Sequence, residues 1–185
     1  KDVLIPRPET EMLVDHIKNN FLNLENVLDL GTGSGCIAIE ISKLFESATI
    51  LGSDVCEKAL KVAKKNNNQS NNKVNFIKSN WFSDIEGQFD LIISNPPYIP
   101  EGTKLEASTL FEPKVALFSE ETGLKDLKKI ISEAINYLKI NGALILEHGM
   151  GQSSELSSYM KKIGYKNIGT LNDLKDINRF VYGYK

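Results

Sequence analysis

The chain has 185 residues, of which 41% are hydrophobic and 25% charged, with a formal net charge of −2 and a pI of about 5.8. These values fit one globular domain with a substantial core, and they disfavour a broad basic field that binds nucleic acid through its phosphates. The sequence shows no run apolar enough to cross a bilayer, no signal peptide and no metal-ligand spacing of its two cysteines. We therefore expect a cytoplasmic protein with free thiols.

Apolar residues recur with helical and strand periods in alternation, which predicts a mainly parallel sheet with helices on both faces. The predicted strands are 27–30, 49–53, 74–77, 89–94 and 143–146, followed by two antiparallel edge strands at about 165–170 and 178–184. Helical stripes begin after Pro8 and recur at 37–45, 60–63, 124–138 and 152–162. The polar tract 66–72 is interpreted as a solvated loop, and 99–121 as a long active-site loop with one short helix.

A glycine-rich loop, Asp29-Leu30-Gly31-Thr32-Gly33-Ser34-Gly35, follows the first predicted strand. Glycines let the backbone turn sharply and let a ligand approach it closely, although a tight turn without a ligand is the alternative. Cys36 stands where a dinucleotide fingerprint requires glycine or alanine, and the loop also lacks the Gly-Lys-Ser/Thr ending of a P-loop. The pattern therefore departs from both nucleotide fingerprints.

Asp54 ends the second predicted strand 19 residues after Gly35. A carboxylate there can accept hydrogen bonds from both hydroxyls of a ribose, whereas a surface carboxylate is the alternative. A ligand that bears adenosine but no phosphates suggests S-adenosylmethionine (SAM). Asp29 would tolerate the positive charge of its sulfonium.

The tetrapeptide Asn95-Pro96-Pro97-Tyr98 follows predicted strand 89–94, at the strand end where open α/β folds bind ligands. Prolines carry no backbone N–H, so this segment offers carbonyl acceptors with few competing donors. Asn95 adds a side-chain oxygen and Tyr98 an aromatic face. Such acceptors suit a planar –NH2 group, and a proline-rich turn is the alternative.

These motifs together resemble the Rossmann-like class I methyltransferases that act on exocyclic or amide nitrogen. The chain is more narrowly similar to the release factor glutamine methyltransferases, the HemK/PrmC family. The blocks that carry this narrower resemblance follow the family's order along nearly the whole chain: Leu4 to Glu11, Trp81-Phe82, Phe111-Glu112-Pro113, Ala116-Leu117, Glu147-His148-Gly149 and Arg179.

The resemblance implies a seven-stranded, mainly parallel sheet with an antiparallel edge strand. It also implies methyl transfer from SAM, with S-adenosylhomocysteine as product, to the glutamine of the Gly-Gly-Gln motif in peptide chain release factors. We expect residues 1–185 to form one catalytic domain, as a monomer that binds neither membranes nor nucleic acid directly. The family's helical N-terminal domain helps to dock the release factor, and we expect that this chain, which opens at Lys1, has lost it.

The resemblance also assigns cofactor contacts by position. Gly31 to Gly35 would wrap the methionine part of SAM, Asp54 would hold the ribose, and Trp81 would lie against the adenine. Asn80 stands where the family has aspartate, so its hydrogen bond to the adenine amino group would lack charge assistance. The full set expected to bind the cofactor is Asp29, Gly31, Thr32, Gly33, Ser34, Gly35, Asp54, Asn80, Trp81 and Asn95.

The catalytic residues implied by the resemblance are Asn95, Pro96 and Tyr98. The Asn95 side chain and the Pro96 carbonyl would accept hydrogen bonds from the glutamine amide, and Tyr98 would pack on it. The substrate-binding set adds Pro97, Arg7 and Glu112. No metal, covalent intermediate or general base is assigned, and His148 is interpreted as structural.

Two other functions fit parts of the pattern. An adenine amino group in DNA or RNA is also a planar –NH2, although the charge balance disfavours a nucleic-acid substrate. A non-catalytic, cofactor-binding partner is the other alternative, but such a protein need not keep the intact tetrapeptide at Asn95 to Tyr98.

Overall fold

A computed structural model of the chain describes residues 8–70, 73–103 and 117–185. Strands and helices alternate along most of this part of the chain. None of the helices in it is long and apolar enough to span a membrane. The helices are α1 (Pro8–Asn20), α2 (Cys36–Leu44), α3 (Glu57–Gln69), α4 (Glu120–Gly123), α5 (Lys125–Tyr137) and α6 (Ser153–Ile163). The strands are β1 (Asn26–Leu30), β2 (Thr49–Asp54), β3 (Val74–Lys78), β4 (Phe89–Ser94), β5 (Ile99–Pro100), β6 (Phe118–Ser119), β7 (Leu138–Glu147), β8 (Lys166–Asn172) and β9 (Asn178–Tyr184).

Seven strands form one sheet in the order β3-β2-β1-β4-β7-β9-β8, and β5 pairs with β6 separately. Strands β3, β2, β1, β4 and β7 are parallel, whereas β9 runs antiparallel to both β7 and β8. The predicted fold class and the antiparallel edge are thereby confirmed. The strand order reverses between β1 and β4, and ligands of open α/β sheets bind outside the carboxyl ends of the strands at such a point.

The sheet is buried on both faces because its apolar side chains alternate between two cores. Val27 and Ile93 pack with apolar residues of α1, α2 and α3 on one face. Leu28, Ile92 and Leu144 pack with those of α5 and α6 on the other. Helices on both faces leave the carboxyl edge of the strands as the region that loops can shape into a site.

The polar tract 66–72 was predicted to be a solvated loop, and that prediction is wrong for residues 66–69, which belong to α3. Helix α3 continues through Gln69. Asn67 is buried, its Nδ2 donates to the Val74 carbonyl at 3.3 Å, and its Oδ1 accepts from the Val74 N–H at 3.4 Å. These bonds tie the last turn of α3 to the start of β3. Residues 71 and 72 of the tract lie outside the described residues.

Strand β7 is also longer than the predicted strand 143–146. Its first residue, Leu138, pairs with Phe89, but the next pair in register is Leu91 with Ala143. Asn141 has a φ of 64°, which fits the punctuation that Asn-Gly predicts. An irregular stretch at Asn141 thus interrupts β7, which then resumes its pairing with β4 at Ala143.

We predict that Asn67→Ala lowers the free energy of unfolding by about 1–3 kcal/mol, because it leaves two backbone groups of Val74 without their partner. Urea denaturation measures this loss. Asn68 is exposed on the same helical turn, so Asn68→Ala should change stability by less than about 0.5 kcal/mol. Equal losses in the two variants would contradict the bridging role.

Candidate active site

The glycine loop is fixed to strand β2 by backbone and side-chain hydrogen bonds. The Thr32 N–H donates to the Ser53 carbonyl at 2.8 Å, and the Gly33 N–H donates to Asp54 Oδ2 at 2.9 Å. The Thr32 hydroxyl donates to Asp29 Oδ2 at 2.6 Å. The structure therefore brings together the loop and both carboxylates that the sequence assigned to one ligand.

Gly35 shows why the loop needs glycine. It has a φ of +79° and precedes α2, and an ideal Cβ on it would lie 3.0 Å from Phe76 Cζ and 3.1 Å from Ala63 Cβ. A side chain at this position would therefore push the loop away from α3 and β3. Helix α3 also holds the loop directly, because Asn66 Nδ2 donates to the Ser34 carbonyl at 3.0 Å.

Asp54 is held in one orientation by two backbone donors. Besides the bond from Gly33 to Oδ2, the Cys56 N–H donates to Asp54 Oδ1 at 2.8 Å. An ionised carboxylate can accept about four hydrogen bonds, so each oxygen keeps capacity for a ligand donor. The next residue, Val55, is 51% exposed and offers an apolar surface beside the carboxylate.

Asp29 is a buried carboxylate beneath the glycine loop, with 1% of its surface exposed. Its pKa is raised to about 6, chiefly by burial and also by the charge of Asp54, against hydrogen bonds from the Thr32 hydroxyl and the Ala38 backbone that lower it. Among the described residues, Asp29 has hydrogen-bond donors but no salt-bridge partner. The loop region is therefore electronegative and suits a cation.

Trp81 covers the loop from the other side. An ideal Cβ on Gly31 would lie 3.6 Å from Trp81 Cζ3. The indole Nε1 donates to Asp126 Oδ1 at 3.2 Å, and Ser119 Oγ donates to Asp126 Oδ2 at 2.6 Å. The exposed residue Asn80 precedes the tryptophan at the rim. Sequence reasoning placed Trp81 here but missed Asp126, which no local pattern marks.

The Asn-Pro-Pro-Tyr segment lies beside the glycine loop. Ser94 pairs in register with Leu30, and its hydroxyl donates to the Leu30 carbonyl at 2.7 Å. Asn95 and Gly31 therefore follow a matched pair of residues on neighbouring strands. Asn95 is half-buried, and none of the hydrogen bonds among the described residues uses its carboxamide. Its side chain thus keeps its acceptor capacity for a ligand.

The rest of the segment is at least partly buried. Pro96 is buried, while Pro97 and Tyr98 are half-buried. The Tyr98 hydroxyl donates to Glu147 Oε1 at 3.1 Å, at the end of β7. This bond fixes the tyrosine ring at the carboxyl edge of the sheet.

His148, next to Glu147, has the surroundings of a structural residue. It is fully buried, and its backbone N–H donates to the Arg179 carbonyl at 2.8 Å. Its ring Nδ1 lies 2.8 Å from the Gly149 carbonyl. Burial lowers its pKa, and the positive charge of Arg179 lowers it further. The imidazole is therefore neutral near pH 7, and the backbone N–H of His148 connects the end of β7 to β9.

Two predicted substrate-binding residues, Arg7 and Glu112, lie outside the described residues. The same holds for most of the predicted active-site loop. Its described ends form the short pair β5 and β6, in which Ile99 pairs with Phe118 and the Ile99 N–H donates to the Leu117 carbonyl at 3.0 Å.

The strand order, the glycine loop and the acceptor-rich segment beside it define a protein of the methyltransferase class. Residues 8–112 match the family model described as "Methyltransferase small domain". The crystal structure of a methyltransferase from Pyrococcus furiosus is similar, with a TM-score of 0.75 at 20% identity over 99% of this chain and 85% of that one. The 16S rRNA N2 G1207 methyltransferase of Thermus thermophilus, in complex with AdoMet and guanosine, gives a TM-score of 0.72 at 16% identity over 98% and 44%. These likenesses show the fold.

Sequence similarity narrows the class. The chain is 40% identical over 187 aligned positions to the release factor glutamine methyltransferase of Buchnera aphidicola subsp. Baizongia pistaciae, covering 98% of this chain and 68% of that relative. The chain belongs to the release factor glutamine methyltransferase family, which confirms the family resemblance seen in its motifs.

The buried Asp29 carboxylate predicts a pH-dependent stability difference between the wild type and Asp29→Asn. Because its pKa is raised from the ordinary 3.8 to about 6, the folded state binds more protons than the unfolded state between these values. Wild-type stability should therefore fall relative to Asp29→Asn as the pH rises through this window, by on the order of 3 kcal/mol in total.

Urea unfolding of both proteins from pH 4 to pH 8 measures this difference. Since every other titrating group is shared, the difference isolates Asp29. A gap between the two proteins that stays constant with pH, or that moves in favour of the wild type at high pH, would show that burial does not raise this pKa.

Proposed function

We propose that this chain transfers a methyl group from SAM to the side-chain amide nitrogen of the glutamine in the Gly-Gly-Gln motif of peptide chain release factors. The observation that carries the proposal is the adjacent placement of Asn95 and Gly31 on matched strand ends. The name of the Buchnera relative supports a protein substrate over an adenine amino group. Because release factors act during translation, the proposal places the chain in the cytoplasm.

The residues around the glycine loop fit SAM. The turn from Gly31 to Gly35 would receive its methionine part, the oriented carboxylate of Asp54 would accept from the ribose hydroxyls, and Trp81 would pack on the adenine. The negative electrostatic environment around Asp29 and Asp54 favours a ligand with a positive centre. When bound, SAM supplies an electrophilic methyl group on a sulfonium.

The substrate side supplies two acceptors for two hydrogens. The Asn95 carboxamide oxygen and the Pro96 carbonyl would each accept from the –NH2 of the glutamine, with the Tyr98 ring packed against the amide. An amide nitrogen is a weak nucleophile because its lone pair is delocalised into the carbonyl. Gripping both hydrogens raises electron density on nitrogen and fixes its direction.

The reaction then depends mainly on alignment. Asn95 and Pro96 would hold the glutamine nitrogen towards the methyl group that SAM would supply. A nitrogen–carbon bond would form as the carbon–sulfur bond broke with its electron pair left on sulfur, and the proton released from nitrogen would pass to solvent. Holding nitrogen, methyl carbon and sulfur nearly in line converts the encounter of two substrates into an intramolecular step. The same two acceptors, the Asn95 carboxamide oxygen and the Pro96 carbonyl, would reject glutamate, because an ionised carboxylate has no hydrogens to donate to them.

We predict that Asn95→Ala lowers turnover on a purified bacterial release factor by on the order of 100-fold or more, because one of the two oriented acceptors is lost. SAM binding should persist within a modest factor, since the glycine loop and Asp54 are unchanged. Labelled SAM with mass spectrometry of the release factor measures the transfer, and titration calorimetry measures binding.

Asn68→Ala, which removes an exposed carboxamide of α3, is the matched control and should keep wild-type turnover. A release factor with glutamate in place of the motif glutamine should receive no methyl group. Near-normal turnover by Asn95→Ala would reject the proposed role of the tetrapeptide. Methylation of DNA or RNA, with none on release factors, would favour the adenine alternative.

The position of Trp81 predicts an optical signal. Trp81 is the only tryptophan of the chain, so SAM that packs on its indole should change the total tryptophan fluorescence. Asp126→Ala removes the acceptor that orients the indole, and we expect SAM affinity to weaken about 3- to 10-fold, the size of one ordinary hydrogen bond. Unchanged fluorescence on saturation with SAM would contradict the adenine-stacking role.

A further inference from the structure

One carboxamide, that of Gln152, joins three separate stretches of backbone behind the Asn-Pro-Pro-Tyr segment. Gln152 precedes α6, and its Nε2 donates to the Tyr98 carbonyl at 3.1 Å and to the Thr122 carbonyl at 3.3 Å. Its Oε1 accepts from the Gly149 N–H at 2.8 Å. The side chain thereby connects the end of the tetrapeptide, the end of α4 and the turn after β7.

The tetrapeptide depends on such outside contacts. Pro96 and Pro97 have no N–H, so the segment between Ser94 and Tyr98 cannot be held by backbone donors at those two positions. Among the contacts that fix its far end are the Tyr98 hydroxyl on Glu147, the Ile99 N–H on the Leu117 carbonyl, and Gln152 on the Tyr98 carbonyl. Of these, Gln152 acts on the backbone of the tetrapeptide itself.

The surrounding backbone is packed closely enough to make this contact stiff. Gly123 has a φ of +83°, and any side chain on it would collide with the Tyr98 carbonyl and reach Gln152 Nε2. An ideal Cβ on Gly149 would lie 3.2 Å from both Gln152 Oε1 and Tyr98 Cδ2. Only glycine fits at position 123, whereas a side chain at position 149 would require its neighbours to shift by a few tenths of an ångström. The three stretches therefore pack closely around the carboxamide.

The geometry points to Gln152 as a positioning residue for methyl transfer, acting through the carbonyl of Tyr98 on the two acceptors at Asn95 and Pro96. This inference rests on the proposed function. Gln152 also lines a cleft of about 440 Å³, together with Tyr98, Ile99 and Thr122. A shift of Tyr98 would move the acceptors relative to the methyl donor, and methyl transfer is sensitive to such shifts.

The first test separates turnover from cofactor binding. Gln152→Ala should lower the turnover number on a purified release factor by on the order of 100-fold, the size expected for a misplacement of about 1 Å. The dissociation constant of SAM should change less than about threefold, because the glycine loop shares no hydrogen bond with Gln152. The matched control is Asn67→Ala, which also removes a carboxamide that bridges backbone groups, but at the start of β3. It should lose stability and keep its turnover.

A second variant tests the two donors. Gln152→Glu keeps the length and the acceptor for Gly149, but its ionised carboxylate faces the carbonyls of Tyr98 and Thr122 without a hydrogen to give. When protonated it regains one donor. The ratio of its turnover to that of the wild type should therefore rise as the pH falls. A ratio that is independent of pH would overturn the donor role, and this comparison decides the question should Gln152→Ala fail to fold.

Hydrogen exchange gives a readout that does not need the substrate. In Gln152→Ala, the peptide covering residues 95–103 should exchange faster than in the wild type, and the peptide covering residues 29–39 should not change. If the wild type fails to methylate any release factor while this pattern appears, the proposed function is wrong but the positioning contact stands. If exchange in both peptides is unchanged, or if turnover and SAM affinity of Gln152→Ala both stay at wild-type values, the inference is wrong.

Discussion

Two consecutive prolines, Pro96 and Pro97, follow the carboxyl end of β4 at the edge of the parallel sheet. The candidate site depends on the fact that these two residues have no backbone N–H groups. Without N–H groups at Pro96 and Pro97, the carbonyls there remain available to a ligand, but the backbone loses the usual means of fixing its position. The restraint comes from side chains instead. Ser94 holds the near end through Leu30, and Tyr98 is held through its hydroxyl and its carbonyl.

Parallel register brings the two parts of the candidate site together. Because Leu30 is matched to Ser94, the glycine loop and the acceptor segment emerge side by side at the switch point of the sheet. The loop side is acidic, with a buried Asp29 whose raised pKa reflects the energetic cost of keeping a carboxylate there. A cost of this kind is common where a site is preorganised for a charged ligand.

The strands, the fold class and the motif residues could be predicted because their signals are local. Apolar runs marked β1, β2 and β4, and glycine spacing marked the loop. Several of the failures share one physical cause, since a polar side chain that bonds to a distant part of the chain leaves no periodic trace. Asn67 was therefore placed in a solvated loop, and the contacts of Asn66, Asp126 and Gln152 were missed. The helical spacing of Leu60, Ala63 and Asn67 is the one sequence signal that indicates that α3 continues beyond residue 63.

The most direct measurement is a crystal structure of this chain with S-adenosylhomocysteine and a Gly-Gly-Gln peptide. The glutamine amide nitrogen should lie within hydrogen-bond distance, about 2.7–3.2 Å, of both Asn95 Oδ1 and the Pro96 carbonyl oxygen. It should also face the sulfur of the cofactor product. A complex in which the peptide amide binds elsewhere, or in which Asn95 turns away from that sulfur, would contradict the claim that the segment from Asn95 to Tyr98 grips and aims the glutamine.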